Sequence, residues 1–314
     1  MLKYKKNPVI INKIIDLIKM PINFFKLKYK FNNVESLSCN PFFIIGSGRS
    51  GNTLLRAMLC NNKLISIPPE SYVLGDMGRK FKRFNYLPWK ELVEIIIGEL
   101  ESHSQFYTWG VNFHDAYYKL LNIPTKQKTL DKIIDEIYLT YSKKYFPEAK
   151  IWGDKTPQNV FSLDMINKIF PNAKYIHIIR DGRDVVNSYL KIKRYDNVEK
   201  ACNRWLNSIE LVNKFKKKKS NSNFIELKYE KLVKNPEIEI KRVCNFLNIS
   251  YDEIMLKPYL NKEKLGDVDK LEHHYGLNRQ INSDSIGKWK EGLNKKEKEI
   301  CTKLLNEELK KLGY

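Results

Sequence analysis

The sequence has few cysteines, and they form no recognisable pattern. Five occur in 314 residues, with no CxxC pair and no Cys/His cluster: Cys39, Cys60, Cys202, Cys244 and Cys301. Structural zinc sites and disulfide frameworks need such spacings, so the sequence indicates neither. Unpaired thiols are typical of a reducing compartment, and we expect a cytoplasmic protein.

Long hydrophobic runs are also missing. The most apolar early stretch, residues 7–21, is interrupted by charges, whereas a membrane-spanning helix needs about 20 mainly apolar residues. Four of its apolar residues would share one helical face: Ile10, Ile14, Leu17 and Ile18. We interpret residues 1–40 as a basic amphipathic N-terminal extension. Residues 1–30 either lie on an anionic membrane, which would place the protein peripherally at the inner membrane face, or pack on their own domain.

Acidic residues are too few to balance the basic ones. The chain has 36 Asp and Glu against 56 Lys and Arg, a net charge of +20. This excess favours anionic partners such as nucleotides or polyanions, although abundant Lys, Asn and Ile together also fit a purely compositional origin. Because no RNA-binding signature accompanies the charge, we expect no nucleic acid partner.

A glycine-rich loop near the start of the chain lacks the lysine of a nucleotide-triphosphate loop. In FFIIGSGRSGNTLLR (42–56), Gly46, Gly51 and Thr53 have the triphosphate-loop spacing, but Asn52 occupies the lysine position. That lysine normally reaches the β- and γ-phosphates while the following Ser/Thr holds Mg²⁺. Backbone N–H groups of the turn and helix start still favour a phosphate. We predict anion binding through Gly48, Arg49, Ser50, Gly51, Asn52 and Thr53.

Three continuous apolar runs predict buried parallel strands at 41–46, 173–180 and 222–229, each followed by helical periodicity. Shorter strands are indicated at 64–67 and 150–152. Repeated strand–turn–helix units predict an α/β fold, a P-loop-like three-layer sandwich with a central parallel sheet flanked by helices. We expect one domain over 41–314 with a mostly helical insertion at 75–147. Ligands of such sheets bind at the carboxyl ends of the strands.

A second anion site is predicted where the 173–180 strand ends. In IIRDGRDVVNSYLK (178–191), Arg180 lies at the strand tip and Ser188 two helical turns into the next helix. A guanidinium with a hydroxyl suits a phosphate, and a structural Arg–Asp pair at the turn is the alternative. Two anion sites on adjacent strands indicate a nucleotide with phosphates at both ends.

These motifs resemble those of the sulfotransferases that use 3′-phosphoadenosine-5′-phosphosulfate (PAPS), most of all bacterial sulfotransferases and protein-tyrosine sulfotransferases. GSGRSGNTLLRAML is similar to the family's 5′-phosphosulfate loop, and IIRDGRDVVNSYL to its 3′-phosphate motif. The resemblance runs from about residue 41 to the end and includes PPESYVL (68–74), GDKTP (153–157), YEKLVKNPEIEIKRVCNFLNI (229–249), SIGKW (285–289) and the terminal LKKLGY. Asn52 departs from it, since the family more often has Thr there.

The resemblance implies metal-independent O-sulfation, in which a sulfuryl group passes from PAPS to an acceptor hydroxyl and leaves 3′-phosphoadenosine-5′-phosphate (PAP). It implies Glu70 as the general base, with Lys155 and Arg49 assisting transfer. Asp154 is expected either to orient Lys155 or to form a structural pair with it. Further cofactor contacts are expected at Arg180, Ser188, Tyr229, Ser285 and Lys288, and the fallback bases are His103 and His114.

The acceptor is left open by the sequence. The aromatic residues of the insertion suit stacking on an acceptor as well as core packing, so we place the acceptor side there. Glycan, lipid-linked and small-molecule hydroxyls are all candidates, and peptide tyrosine is less expected in a cytosolic protein. Two other functions stay open: a P-loop kinase-like phosphotransferase, which requires Mg²⁺-dependent ATP turnover, and a non-catalytic basic protein that binds a membrane or polyanion.

Overall fold

A five-stranded parallel sheet forms the centre of the computed structural model, which describes residues 27–219, 221–267 and 280–314. Its strands are β1 (Phe42–Ile45), β2 (Ile65–Ser66), β3 (Ile151–Lys155), β4 (Lys174–Ile179) and β5 (Phe224–Lys228), in the order β2-β3-β1-β4-β5. Each neighbouring pair is parallel. All five predicted strands are therefore confirmed, and their carboxyl ends lie along one edge.

Helices flank this sheet, as the sequence predicted. In chain order they are α1 (Asn52–Cys60), α2 (Leu74–Arg83), α3 (Trp89–Glu101), α4 (His114–Leu121), α5 (Leu130–Tyr145), α6 (Leu163–Ile169), α7 (Gly182–Lys191), α8 (Val198–Lys216), α9 (Tyr229–Lys234), α10 (Pro236–Leu247), α11 (Trp289–Gly292) and α12 (Lys295–Leu312). Short 3-10 turns connect several of them. The mixed α/β class is thus confirmed.

Aromatic side chains build the core on one face of the sheet. Phe43 of β1 packs against Trp152 of β3 and Tyr175 of β4. Tyr138 of α5 stacks on Trp152 at 4.1 Å between ring centroids, and Phe215 of α8 contacts Tyr175 at 4.8 Å. Because side chains alternate along a strand, the residues between these aromatics point to the opposite face.

Local sequence signals explain where several helices begin and end. Pro236 occupies the first turn of α10, where its missing N–H costs nothing, and Asn248 ends that helix in the left-handed conformation. Asn294 and Glu297 form a reciprocal capping box at the start of α12. Gly313 closes α12 with a positive φ of 73°. The long C-terminal helix is therefore fixed at both ends.

Two predicted strand boundaries were wrong in ways that matter for the site. Lys155 is the last residue of β3 and does not follow the strand, because the pairing with β1 continues through Ile44 and Lys155. Tyr229 does not end the fifth strand but begins α9. It is buried, so its ring is part of the protein interior as well as a neighbour of the glycine-rich loop.

The predicted helical insertion at 75–147 contains α2 to α5. Trp89, Trp109 and Phe113 are buried in its core, whereas Tyr86, Tyr107 and Tyr118 are exposed. Its aromatic residues thus divide between packing and surface. The extent of the domain and the placement of the acceptor on this side stay predictions.

The basic N-terminal extension lies mostly outside the described residues. Only residues 27–40 of it are described. The Tyr29 ring packs at a tilt against Trp89, and the Tyr29 backbone N–H donates to Asn85 Oδ1. Within the described chain, all five cysteines are free thiols. No helix in that part of the chain is long and apolar enough to cross a membrane.

Candidate active site

The loop between β1 and α1 has no room for side chains at its glycines. A Cβ on Gly46, whose φ is 145°, would lie 2.4 Å from the backbone oxygen of Ile178. A Cβ on Gly51, whose φ is 97°, would lie 2.4 Å from the Tyr229 ring. At Gly48 the obstacle is the Tyr189 hydroxyl, 2.8 Å away. The loop therefore packs closely against β4 and against the side chains of Tyr189 and Tyr229.

Asn52 braces this loop from within. Its side-chain Nδ2 donates to the backbone oxygen of Ser47 at 2.8 Å, so the residue in the lysine position stabilises the turn. The neighbouring Ser50 hydroxyl is buried and has no hydrogen-bond partner among the described residues. Thr53 is half-buried in the first turn of α1. A buried hydroxyl without a partner is costly, so Ser50 indicates a ligand at this turn.

Two guanidinium groups meet beside the loop. Arg180 donates from Nη1 to the backbone oxygen of Arg49 at 3.0 Å, while Arg49 donates from Nε to the Ser188 hydroxyl at 3.0 Å. Burial, followed by the positive charge of Arg180, lowers the pKa of Arg49. Buried Arg180 Nε has no hydrogen-bond partner among the described residues. Like charges this close are stabilised by an anion between them, as the two predicted anion motifs require.

The segment containing Ser285 and Lys288 contacts Arg180. Arg180 donates from Nη2 to the Ser285 backbone oxygen at 2.5 Å, and its guanidinium lies over the Tyr229 ring, 4.7 Å from the centroid. The Tyr229 and Ser285 hydroxyls share a hydrogen bond. Lys288, in contrast, is exposed at the start of α11. The structure thus brings Ser285 and Tyr229 to Arg180 but leaves the Lys288 side chain in solvent.

Asp184 anchors the segment that contains Ser285 and Lys288. Asp184 was not predicted from the sequence as a site residue. Its carboxylate accepts hydrogen bonds from the backbone N–H of Gly287 at 2.8 Å and of Trp289 at 2.9 Å. It also lies 3.9 Å from Arg180. An acidic residue in the first turn of α7 is a detectable signal, but its partners lie more than a hundred residues away. Sequence spacing alone does not reveal them.

A carboxylate–ammonium pair lies at the same edge of the sheet. Lys155 Nζ donates to Glu70 Oε1 at 2.5 Å; the lysine is fully buried, and the Glu70 side chain is 16% exposed. The backbone N–H of Ser71 donates to the Thr156 hydroxyl at 3.0 Å, which ties the turn after Glu70 to the end of β3. The carboxylate is thus held by its neighbours and still reaches solvent.

Neither role expected for Asp154, orienting Lys155 or forming a structural pair with it, is seen among the described residues. Its carboxylate accepts from the Tyr138 hydroxyl at 2.6 Å and from Asn159 Nδ2 at 2.5 Å. Consecutive residues of a strand point to opposite faces, so Asp154 faces α5 while Lys155 faces Glu70. Burial raises the pKa of Asp154. Its role is to join β3 to α5.

Tyr72 and His103 form a second feature beside Glu70. Tyr72 has a positive φ of 61°, and its ring stacks on His103 with centroids 4.7 Å apart and planes 14° from parallel. His103 was a fallback base, and the structure brings it to the Glu70 side. His114 pairs instead with Tyr118 on α4. No local pattern in the sequence indicates a left-handed conformation at Tyr72.

The anion site formed by Arg49 and Arg180, called the cradle from here on, and the Glu70–Lys155 pair belong to one site. Glu70 pairs with Lys155 at the end of β3, and Arg49 lies in the loop after β1, the strand that pairs with β3. Both therefore lie at the carboxyl edge of the sheet, where ligands of such folds bind. The arrangement can hold an anionic group between two arginines and present a carboxylate base next to it. Among the described residues, no group of three or more His, Cys, Asp or Glu side chains is placed to hold a metal ion.

Comparison with known proteins identifies the class. The model of the sulfotransferase family matches residues 41–253, more than half of the chain. The chain therefore belongs to the sulfotransferase family, a class of transferase enzymes.

Individual relatives are distant. Protein-tyrosine sulfotransferase A of Caenorhabditis elegans is 24% identical over 264 residues, which cover 80% of this chain and 61% of that protein. The omega-hydroxy-beta-dihydromenaquinone-9 sulfotransferase Stf3 of Mycobacterium tuberculosis is 20% identical, covering 76% of this chain and 70% of that protein. The sulfotransferase domain from the Synechococcus PCC 7002 olefin synthase matches with a TM-score of 0.58 and 22% identity, covering 82% of this chain and 89% of that one. The last similarity concerns the fold.

Proposed function

We propose that this protein transfers a sulfuryl group from PAPS to an acceptor hydroxyl. The observation that carries the proposal is the shared edge of the sheet: the Glu70–Lys155 pair lies beside the Arg49–Arg180 cradle. A nucleotide with phosphate at both ends of its ribose suits two arginines, and a carboxylate suits the activation of a hydroxyl. Family membership supports sulfuryl transfer as the chemistry.

The residues of the cradle fit PAPS. Buried Ser50 Oγ and Arg180 Nε have no partner among the described residues, and Gly51 lets the loop pack directly against the Tyr229 ring, where any side chain would collide. We propose that the loop from Gly48 to Thr53 holds the 5′ end and that Arg180 and Ser188 hold the 3′-phosphate, with Tyr229 and Ser285 beside them. Lys288 is the weakest member of this set, because its side chain is exposed.

The chemistry of the site follows from its charges. PAPS, when bound, supplies the sulfuryl group. Glu70 accepts the proton of the acceptor hydroxyl, and Lys155 holds its carboxylate in place by a hydrogen bond beforehand. Once Glu70 is protonated, the buried Lys155 charge is no longer neutralised by it and is free to stabilise negative charge that develops nearby. We propose that Arg49 and Lys155 together provide this charge without a divalent cation.

A binding experiment tests the proposal. We expect PAP to bind the purified protein in EDTA, and labelled sulfate from PAPS to reach a hydroxyl acceptor in the same buffer. Arg180→Lys keeps the charge but loses the planar fork of donors, so PAP affinity should fall at least about tenfold. Arg242→Ala, far along α10 and paired with Glu239, is the control and should bind as the wild type does.

The same experiment separates the alternatives. ATP turnover that requires Mg²⁺, with no PAP binding, would establish a kinase-like phosphotransferase. Binding to anionic vesicles or polyanions without PAP binding would establish a non-catalytic basic protein. The proposals of a cytoplasmic location and of membrane contact through residues 1–30 need fractionation and are independent of this result.

Gly51 gives a second prediction. Gly51→Ala places a side chain at a φ that costs about 1–2 kcal/mol and drives a Cβ into the Tyr229 ring. PAP affinity should therefore fall at least about tenfold, as measured by calorimetry. The matched change is Gly98→Ala within α3, where a Cβ meets nothing within 4 Å. It should leave PAP affinity unchanged and raise stability by up to about 1 kcal/mol.

A further inference from the structure

The peptide unit that follows Arg180 is held by side chains and not by the sheet. Strand β4 ends at Ile179, so the Arg180 C=O and the Asp181 N–H lie beyond the strand ladder, in a buried turn. Trp205 on α8 donates from Nε1 to the Arg180 carbonyl oxygen at 3.2 Å. On the other side of the unit, the Asp181 N–H donates to Glu230 Oε1 at 2.9 Å. Both polar groups of this peptide unit therefore have the partners that buried backbone requires.

These two bonds restrict the direction in which the Arg180 side chain leaves the backbone. A peptide unit is planar, so bonds to its oxygen and to its N–H oppose rotation of the whole unit. Trp205 is completely buried, and a Cβ on Gly182 would lie 2.9 Å from its ring, so packing fixes the indole as well. Arg180 then reaches the Arg49 and Ser285 backbone oxygens with its two Nη atoms. The place of the guanidinium thus depends on this peptide unit.

Glu230 is held in turn by a tyrosine of the LKKLGY segment (309–314). The Tyr314 hydroxyl donates to Glu230 Oε2 at 2.8 Å, while Glu230 Oε1 accepts from the Asp181 N–H. Burial, followed by the charge of Glu230, raises the pKa of Tyr314 above its ordinary value, so the phenol stays protonated and donates. One carboxylate therefore joins the end of α12 to the turn that follows Arg180.

The backbone at the end of α12 places Tyr314 for this contact. Its N–H donates to the Leu309 oxygen at 3.0 Å, and the Gly313 N–H donates to the Lys310 oxygen at 3.1 Å. These two bonds form a Schellman C-cap, which the positive φ of Gly313 permits. Lys228 of β5 lies 4.7 Å from the centroid of the Tyr314 ring. The LKKLGY segment thus presents the Tyr314 hydroxyl at a defined position.

We propose that Glu230 is a positioning residue for Arg180 and that Tyr314 acts through Glu230. The inference rests on the proposed function, because it specifies how Arg180 is directed to the 3′-phosphate of PAPS. The negative charge of Glu230 by itself disfavours a phosphate nearby. Its contribution through geometry and its contribution through charge therefore have opposite signs, and removal of the carboxylate distinguishes them.

Glu230→Ala removes both hydrogen bonds of the carboxylate. We expect PAP affinity, measured by calorimetry, to fall on the order of tenfold, about the worth of one hydrogen bond to a charged group. Adenosine 3′-phosphate should lose the same factor. Adenosine 5′-phosphate lacks the group that Arg180 is proposed to hold, so its affinity should not change. A structural role alone would weaken all three nucleotides alike or lower only the melting temperature.

Glu230→Gln is the conservative variant. Glutamine keeps an oxygen for the Asp181 N–H and an amide for the Tyr314 hydroxyl but removes the charge, so PAP affinity should equal or exceed that of the wild type. Glu237→Ala is the matched control. Glu237 is also an acidic residue in the first turn of a helix, but it pairs with Lys241 in solvent, and its loss should leave all three affinities unchanged.

Tyr314→Phe tests the second contact of Glu230. The carboxylate keeps its bond to the Asp181 N–H but loses a donor, so PAP affinity should fall by roughly threefold. The double variant Glu230→Ala/Tyr314→Phe should bind PAP no more weakly than Glu230→Ala, because residues that act through one contact are not additive. Additive losses would show that Tyr314 does not act through Glu230.

Two results in Glu230→Ala overturn the inference: an equal loss of affinity for PAP and adenosine 5′-phosphate, and a PAP affinity that is unchanged or raised. A wild type that binds no PAP overturns the proposed function instead. Hydrogen exchange of the Asp181 amide, followed by NMR, then still decides the role of Glu230. Faster exchange in Glu230→Ala than in Glu230→Gln supports the anchoring of this peptide unit, and equal exchange overturns it.

Discussion

Glu70→Gln should reduce sulfuryl transfer by about 10²- to 10⁴-fold, the range expected when a general base is lost, while PAP still binds. Glutamine keeps the size of the side chain and a donor or acceptor for Lys155, but it takes up no proton. The measurement is the transfer rate with labelled PAPS at saturating acceptor, beside calorimetric PAP binding. Glu148→Gln, which alters an exposed glutamate paired with Lys63, is the matched control.

The same substitution has a structural cost that must be kept apart from its catalytic cost. Lys155 is fully buried and pairs with Glu70, so removing the carboxylate leaves a buried charge uncompensated, at a cost of about 3–5 kcal/mol. We expect a lower melting temperature in Glu70→Gln and recovery in Glu70→Gln/Lys155→Met. Activity should not recover in the double variant. Transfer at the wild-type rate by either variant would exclude Glu70 as the base.

The sheet and both anion motifs could be predicted from the sequence because their signals are local. Each strand is a continuous apolar run, and the glycines that allow the loop at 46–51 follow β1 directly. Arg180 follows β4 in the same way. Since parallel strands end at one edge, short-range patterns were enough to bring Arg49, Arg180 and Ser188 together.

What the sequence could not supply were contacts between distant segments. Asp184 holds a segment more than a hundred residues away, and neither partner has a composition that indicates the other. The side of the sheet that Asp154 faces depended on where β3 ends, and the predicted strand, shorter than the real one, led to the wrong assignment. Tyr72 has a positive φ and stacks on His103, which is distant in the chain, and neither feature has a local sequence signal in a tyrosine.

The role of Asn52 could not be inferred from the absence of the triphosphate-loop lysine alone. Its amide donates to the Ser47 backbone oxygen, so the residue in the lysine position stabilises the loop conformation. The positive charge that a triphosphate loop would place there comes from Arg49 and Arg180, on separate strand ends. Both arginines had been expected from the sequence, but the bracing role of Asn52 had not.

Asp267→Asn should be among the most destabilising single changes in the chain. The side chain of Arg56, on α1, is completely buried and donates from Nη1 to Asp267 at 2.5 Å, from Nη2 to the Leu265 oxygen at 2.7 Å and from Nε to the Ile67 oxygen at 3.0 Å. This arginine thus ties α1 to the strand end leading to Glu70 and to the segment at 265–267. Breaking a buried pair costs about 3–5 kcal/mol, or roughly 10 °C in melting temperature for a protein of this size.

The control for this prediction is an ion pair of the same chemistry in solvent. Asp196 pairs with Lys200 one helical turn away, and both side chains are mostly exposed, so Asp196→Asn should change stability by less than about 1 kcal/mol. Arg56→Met should cost at least as much as Asp267→Asn, because two backbone oxygens lose their donor as well. The double variant should lose less than the sum of the two single changes, since their effects are coupled through direct contact. Equal melting temperatures for Asp267→Asn and Asp196→Asn would show that the buried pair does not hold the Glu70 side of the site in place.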